Sequence, residues 1–167
     1  LSQLEHGSGL ESTLLVSTDE SLARNIEKQL LEEINAINYG EKQKENILNS
    51  IKNWSVFIYE EDFEQAIEII NYYAPEHLEL QLKKDKLELA KEKVTQAGAI
   101  FLGANSCESL GDYLAGPSHC LPTAGSARFS SGLQISDFYK KSSILDFSET
   151  TDINDILEAT ALIARAE

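Results

Sequence analysis

The sequence contains no methionine, only three histidines and three prolines, and half as many basic side chains as acidic ones. Lacking methionine and beginning Leu-Ser-Gln, it reads as a piece of a longer polypeptide. Fourteen Lys and Arg stand against 28 Asp and Glu, a net charge of −14. Such a surface repels phosphates, which argues against a nucleic-acid partner and equally against an anionic membrane. No apolar run approaches bilayer-spanning length and no basic-then-apolar leader is present, so a cytoplasmic protein is expected. Cys107 and Cys120 lie in a Gly/Ser/Pro-rich stretch of a chain without secretory signals, and free thiols are expected rather than a disulfide. Neither a G-x-G-x-x-G nor a Walker loop occurs, so no usual dinucleotide motif is present. What remains is a small-molecule or cationic substrate.

With 42% hydrophobic and 25% charged residues, 167 residues make one domain with a real core plus a small appendage. The histidines are His6, His77 and His119, each in a turn-like or glycine-flanked stretch. Imidazole changes charge near neutral pH and is the commonest metal ligand, so its sparing, local use points towards a site. Pro75-Glu76-His77 is the most informative of the three. An acid and an imidazole stand side by side after a helix that proline cuts short. The plain alternative is an exposed histidine beside a solvated glutamate.

Leu14-Leu15-Val16 reads as a short buried strand. Thr18 and Asp19 can then cap a helix with Leu22, Ile26, Leu30, Ile34 and Ile37 at helical spacing, ended by Gly40. A second helix through Ile47, Leu48 and Ile51 leads to a strand at 54–59. Asp62 can start a helix with Phe63, Ala66, Ile67, Ile70 and Tyr73 on one face. Pro75 disfavours helical geometry at Ala74 and stops it there. Leu78, Leu80 and Leu82 alternate with Glu79 and Gln81, as in a strand with one wet face. A helix with Leu87, Ala90 and Val94 follows, closed by Gly98 before a strand at 99–102. This alternation implies a mostly parallel sheet covered on both faces by helices, a three-layer αβα arrangement. Residues 103–133 break the pattern with five of the nine glycines and two of the three prolines, and an ordered functional loop is expected. A short strand near 142–147 and an amphipathic helix with Ile153, Ile156, Leu157, Thr160, Leu162 and Ile163 finish the chain. The expected division is an α/β part at 1–148 and the start of a helical tail at 149–167.

Several constellations carry chemistry. Gln3 and His6, three apart, share a face of a single turn and could grip one ion, although Q-x-x-H is a common spacing. Glu76 and His77 suit proton transfer if the backbone turns between them: imidazole accepts a proton from an alcohol, and carboxylate polarises water. Asp112, with Glu108 one turn earlier, could supply a carboxylate ligand, or could be a helix cap or surface charge. His119 beside Cys120 invites a thiol–imidazole reading, but a cysteine nucleophile needs its base in space, not merely in sequence.

Five stretches resemble, in order, the C-terminal portion of the histidinol dehydrogenase family. They are Gln3-Leu4-Glu5-His6-Gly7, Tyr73-Ala74-Pro75-Glu76-His77-Leu78, Ala97-Gly98-Ala99-Ile100-Phe101-Leu102-Gly103, Glu108-Ser109-Leu110-Gly111-Asp112-Tyr113 and His119-Cys120-Leu121-Pro122-Thr123. The resemblance implies an aldehyde dehydrogenase-like fold and oxidation of L-histidinol to L-histidine with two NAD, in a homodimer. It implies that Gln3, His6 and Asp112 hold a zinc ion, that His77 is the general base, and that Glu76 activates water in the second oxidation. Gln3, His6, His77, Asp112, His119 and Glu167 would contact substrate. A family zinc-ligating histidine just beyond the position of Glu167 is not in this sequence, nor is the NAD-binding portion, so the chain alone is expected to be inactive. The rival readings are an aldehyde dehydrogenase-like enzyme using Cys107 or Cys120, and a non-catalytic module that kept the fold.

Overall fold

The computed structural model describes residues 3–36, 38–149 and 152–166. The chain forms two compact units, Leu1–Leu133 and Gln134–Glu167. In the first, β1 (Thr13–Ser17) is followed by α1 (Glu20–Ala36), α2 (Glu41–Trp54) and β2 (Ser55–Tyr59). Then come α3 (Phe63–Tyr73), β3 (His77–Leu80), α4 (Lys84–Lys93), β4 (Ala99–Leu102) and α5 (Glu108–Tyr113). Tight 3-10 turns sit at Leu4–His6 and Ser126–Arg128. Among the described residues, no helix is long and apolar enough to cross a membrane.

Local chemistry sets these boundaries. Asp19 Oδ1 accepts from the Leu22 amide at 3.0 Å and starts α1. Asp62 Oδ1 does the same for α3, from Glu64 N at 2.7 Å and Gln65 N at 3.1 Å. At the other end of α3, Ala74 leaves the helix in the left-handed region (φ 52, ψ 65), its amide still donating to Ile70 O. Pro75 thus acts as the sequence suggests, and the turn aims the chain into β3.

The strands pair in parallel as two two-stranded sheets, β1 with β2 and β3 with β4. Thr13 lies opposite Ser55 and Ser17 opposite Tyr59 in the first; His77 lies opposite Ala99 and Leu80 opposite Leu102 in the second. β3 alternates as expected, with Leu78 and Leu80 buried and His77 and Glu79 on the other face. Leu78 and Leu80 pack with Ile67 of α3 and with Ala90 and Val94 of and beside α4. Each buried Leu, Ile or Val side chain among them contributes about 1.5–3 kcal/mol. A second core joins Leu4 to Ile34 of α1 and Ile47 of α2.

Some expectations fail for local reasons. Gly40 does not end α1, which stops by Ala36; it stands in extended geometry at the start of α2. Ile37 lies outside the described residues. Leu82 packs on the core but lies beyond β3, which ends at Leu80. No strand forms at 142–147; those residues are irregular and exposed. The stretch 103–133 is less irregular than expected, since it holds α5 and a 3-10 turn. The second unit contains a 3-10 turn at Ile135–Phe138 and α6 (Asn154–Ala164). None of its described residues is buried, and Ile153 is the most covered of them.

Gly98 does not cap α4, which ends at Lys93 with Val94 as its cap. Its role is closeness. Gly98 N donates to Pro75 O and Ala99 N to Glu76 O, both at 2.9 Å, so the ladder extends back to the post-proline turn. A Cβ on Gly98 would lie 2.6 Å from the Glu76 carbonyl oxygen and 3.0 Å from Pro122 Cδ. Gly98→Ala is therefore expected to cost about 1–3 kcal/mol of stability, as overpacking against backbone does. An unchanged denaturant midpoint would contradict this contact.

Candidate functional site

The Leu4–His6 turn is pinned by Leu4, which is 1% exposed and inserted between α1 and α2. Gln3 caps the turn and His6 ends it; at this spacing the two side chains eclipse one another. The polar face of α2 holds the loop that follows. Asn46 Nδ2 donates to Gly7 O at 2.5 Å and Asn49 Nδ2 to Gly9 O at 2.7 Å. Gly9 has φ +81, and a Cβ there would meet both asparagine side chains at 3.4 Å.

Glu11 closes this loop. Its carboxylate accepts from Ser8 N at 2.7 Å, Gly9 N at 2.9 Å and Ser50 Oγ at 2.9 Å. Burial alone would raise its pKa, but these hydrogen bonds outweigh it and hold the group at about 2. Sequence reading missed this residue. The signal available was the run Asn46, Asn49 and Ser50 on one face of a predicted helix.

β3 and α5 build the other wall. His77 and Glu79 share the face of β3 turned away from the core. The His77 ring stacks on Phe101 of β4, with ring centroids 6.1 Å apart and planes inclined by 26°. α5 lies against the same phenyl ring at Gly111, where a Cβ would come within 2.9 Å of Phe101 Cε1. Glu79 Oε1 accepts from Glu108 N at 3.1 Å and fixes the first turn of α5. Glu108 and Asp112, four apart, then face the imidazole together. Glu108 Oε1 is 3.8 Å from His77 Nε2. Ligand atoms of His77, Glu108 and Asp112 all lie within 4.8 Å of one another.

Gln3, His6, Glu76, His77, Asp112 and His119 all line one cavity of about 310 Å³, with Glu11 and Glu108. Glu167 lies outside the described residues. The tight trio includes Asp112 of the expected ligand set together with His77 and Glu108, and Gln3 and His6 line the same cavity. Neither cysteine lines the cavity, and both are exposed. His77 Nε2 is buried and has no hydrogen-bond partner among the described residues. A buried orphan nitrogen between carboxylates fits a cation or a donor hydroxyl, and this mixed nitrogen and oxygen donor set fits zinc.

Fold and site define an α/β chain with a small acidic cavity where imidazoles and carboxylates converge, donor types that could hold a metal ion. The histidinol dehydrogenase family model matches residues 1–167, and the chain belongs to that family. It is 43% identical to the histidinol dehydrogenase of Clostridium acetobutylicum and 39% identical to that of Prochlorococcus marinus (strain MIT 9312). Each alignment covers 99% of this chain and 38% of the relative. The crystal structure of histidinol dehydrogenase from Elizabethkingia anophelis superposes with a TM-score of 0.67 at 37% identity, covering 79% of this chain and 29% of that one. The chain thus spans well under half the length of the curated relatives it matches.

The Glu11 latch has a definite pH signature. A carboxylate whose pKa is depressed on folding stabilises the fold fully above its ordinary value of 4.5, and that contribution is lost as pH falls towards about 2. Glu11→Gln is expected to lower stability at pH 7 by about 1–3 kcal/mol, the cost of leaving such donors poorly paired. It should also flatten the stability loss between pH 4.5 and 2 in urea titrations. An unchanged acid limb would contradict the latch.

Proposed function

We propose that this chain belongs to the catalytic portion of a zinc-dependent, NAD-linked histidinol dehydrogenase. The parent enzyme oxidises L-histidinol to the aldehyde and then to L-histidine, as a cytoplasmic homodimer. Residues 1–148 form part of its αβα, aldehyde dehydrogenase-like catalytic domain, and 149–167 begin a helical tail in which Glu167 contacts substrate. The observation that carries this reading is convergence: residues from three separate stretches, Gln3 and His6, Glu76 and His77, and Asp112 and His119, line one small cavity.

Gln3, His6 and Asp112 would hold the zinc. When bound, zinc supplies a fixed positive charge that anchors and polarises the substrate's amino alcohol without redox change. The protein groups account for the protons. His77 Nε2 takes the hydroxyl proton as hydride leaves the carbinol carbon, giving the aldehyde; NAD, when bound, would supply the hydride acceptor. Glu108, 3.8 Å away, stabilises the imidazolium that results. Glu76 then takes a proton from water as its oxygen adds to the aldehyde carbon. Loss of hydride from the resulting gem-diolate leaves the carboxylic acid, whose proton passes to solvent, so that the carboxylate of histidine remains; a second NAD, when bound, would supply the acceptor for that hydride. His119, exposed on the cavity rim, contacts the substrate. In this reading NAD binds to the part of the enzyme outside the 38% matched, and these 167 residues alone are not expected to turn over.

In the complete enzyme, His77→Asn is expected to lower turnover by ~10²–10⁴-fold, the usual worth of a general base. Zinc content measured by elemental analysis should stay unchanged. Full turnover in that variant would contradict the assigned role.

A further inference from the structure

Between the turn that carries Gln3 and His6 and the first strand, little apolar packing holds the chain. Leu4 is buried in the core, but Leu10 is 66% exposed. Gly7 and Gly9 both stand in the left-handed region, at φ 80 and 81, and bring no side chain that could anchor them. Residues 7–10 therefore keep their path through polar contacts. Past them the chain is fixed again, for Ser12 Oγ donates to Trp54 O at 2.9 Å and accepts from the Tyr73 hydroxyl at 2.7 Å.

Glu11 stands between these two anchors. Among the described residues it is the one charged side chain that is buried. Its carboxylate, ionised with a pKa of about 2, acts only as an acceptor. Oε1 accepts from Ser8 N, and Oε2 accepts from Gly9 N and from Ser50 Oγ. Ser50 is fully buried on α2, so the carboxylate joins the loop to that helix. Asn46 and Asn49 of the same helix bond the carbonyls of Gly7 and Gly9. Gly9 is thus held at its N–H and at its C=O.

Glu11 also lines the small cavity with Gln3 and His6. Two roles are open to it there: ligand to a cation, or support for the groups that are ligands. The hydrogen bonds decide. Both oxygens are engaged, and freeing either would orphan a backbone N–H or a buried hydroxyl. The tight cluster of His77, Glu108 and Asp112 leaves Glu11 out. His6, by contrast, ends a one-turn element and is exposed, so the backbone beneath it determines where its imidazole sits.

We propose that Glu11 is a positioning residue: by clamping Ser8 and Gly9 to α2, it fixes the turn that presents Gln3 and His6 to the cation. That role depends on Gln3 and His6 holding the zinc, as proposed above, and adds a group that touches neither metal nor substrate. Loss of such outer support costs metal sites about 10–100-fold in affinity. Glu11→Gln removes it with little change of shape. The amide keeps one acceptor oxygen but turns an NH2 donor towards Ser8 N or towards Gly9 N and Ser50 Oγ, which are donors themselves, so one side of the clamp opens.

The test is titration of the complete, metal-free enzyme with cobalt(II), whose visible spectrum follows ligand type and geometry, beside residue-resolved amide exchange. Glu11→Gln should bind cobalt at least ~10-fold more weakly and give an altered spectrum at saturation. Before cobalt is added, its Ser8 and Gly9 amides should exchange at least ~10-fold faster than in the unaltered enzyme. Asp62→Ala is the control. It removes a carboxylate that likewise accepts two backbone amides, at the start of α3, and should leave cobalt affinity and spectrum unchanged. Should Glu11→Gln fail to fold, Ser50→Ala removes one of the three bonds and should shift affinity the same way by a smaller factor. Unchanged affinity in the folded variant, or an equal loss in Asp62→Ala, overturns the proposal. Faster exchange of Ser8 and Gly9 when cobalt is added to the unaltered enzyme would make Glu11 a ligand and overturns it equally. An unaltered enzyme that binds no cobalt overturns the metal reading and this role with it, a failure told apart because only then does the unaltered enzyme stay colourless.

Discussion

The site depends on a side chain that is not there. Gly111 lets α5 lie directly against the ring of Phe101, at Cε1 and Cζ, and Phe101 in turn stacks on His77. Because the helix comes that close, Glu108 and Asp112 reach the imidazole from one face, and Glu79 can tie down the first turn. A methyl group at position 111 would meet the ring at 2.9 Å, so either the ring or the helix would have to move. Interiors pack too densely to absorb such a change without shifting neighbours. The positions of two carboxylates therefore rest on one glycine.

The opposite wall uses polar latching instead of packing. Leu4 anchors its turn in the core, but the loop after it is held by Asn46, Asn49, Ser50 and Glu11. Both walls meet at a cavity rich in carboxylates, where Glu11, Glu76, Glu108 and Asp112 face three imidazoles. In a chain of net charge −14, that lining favours a cation by field as well as by ligand geometry. The split sheet fits the same picture, for among the described residues the strand carrying His77 pairs on one edge only.

Much of this was legible in the residues, and the failures have physical causes. Helices with a clear cap or stop, such as the one between Asp62 and Pro75, were read to within a residue, because capping and proline geometry act locally. The wet face of β3 followed from Leu78 and Leu80 alternating with Glu79. Lateral order did not follow, since periodicity shows that a strand exists and not what lies beside it; hence one sheet was expected and two pairs are observed. The same blindness to long-range packing hid Glu11 and left Glu108 as a carboxylate without an assigned place. At 142–147, Ile144, Leu145 and Phe147 suggested a strand, yet no neighbouring strand pairs with them and they stay exposed.

The most direct measurement is cobalt(II) binding by the complete enzyme, compared between Gly111→Ala and Gly40→Ala. Both add one methyl group, but nothing lies within 4 Å of a Cβ at Gly40. If the approach of α5 to Phe101 sets the cation site, Gly111→Ala weakens binding by about 10–100-fold, as loss of outer support to metal ligands does, and Gly40→Ala binds as the unaltered protein. Equal affinity in the two variants would contradict that dependence.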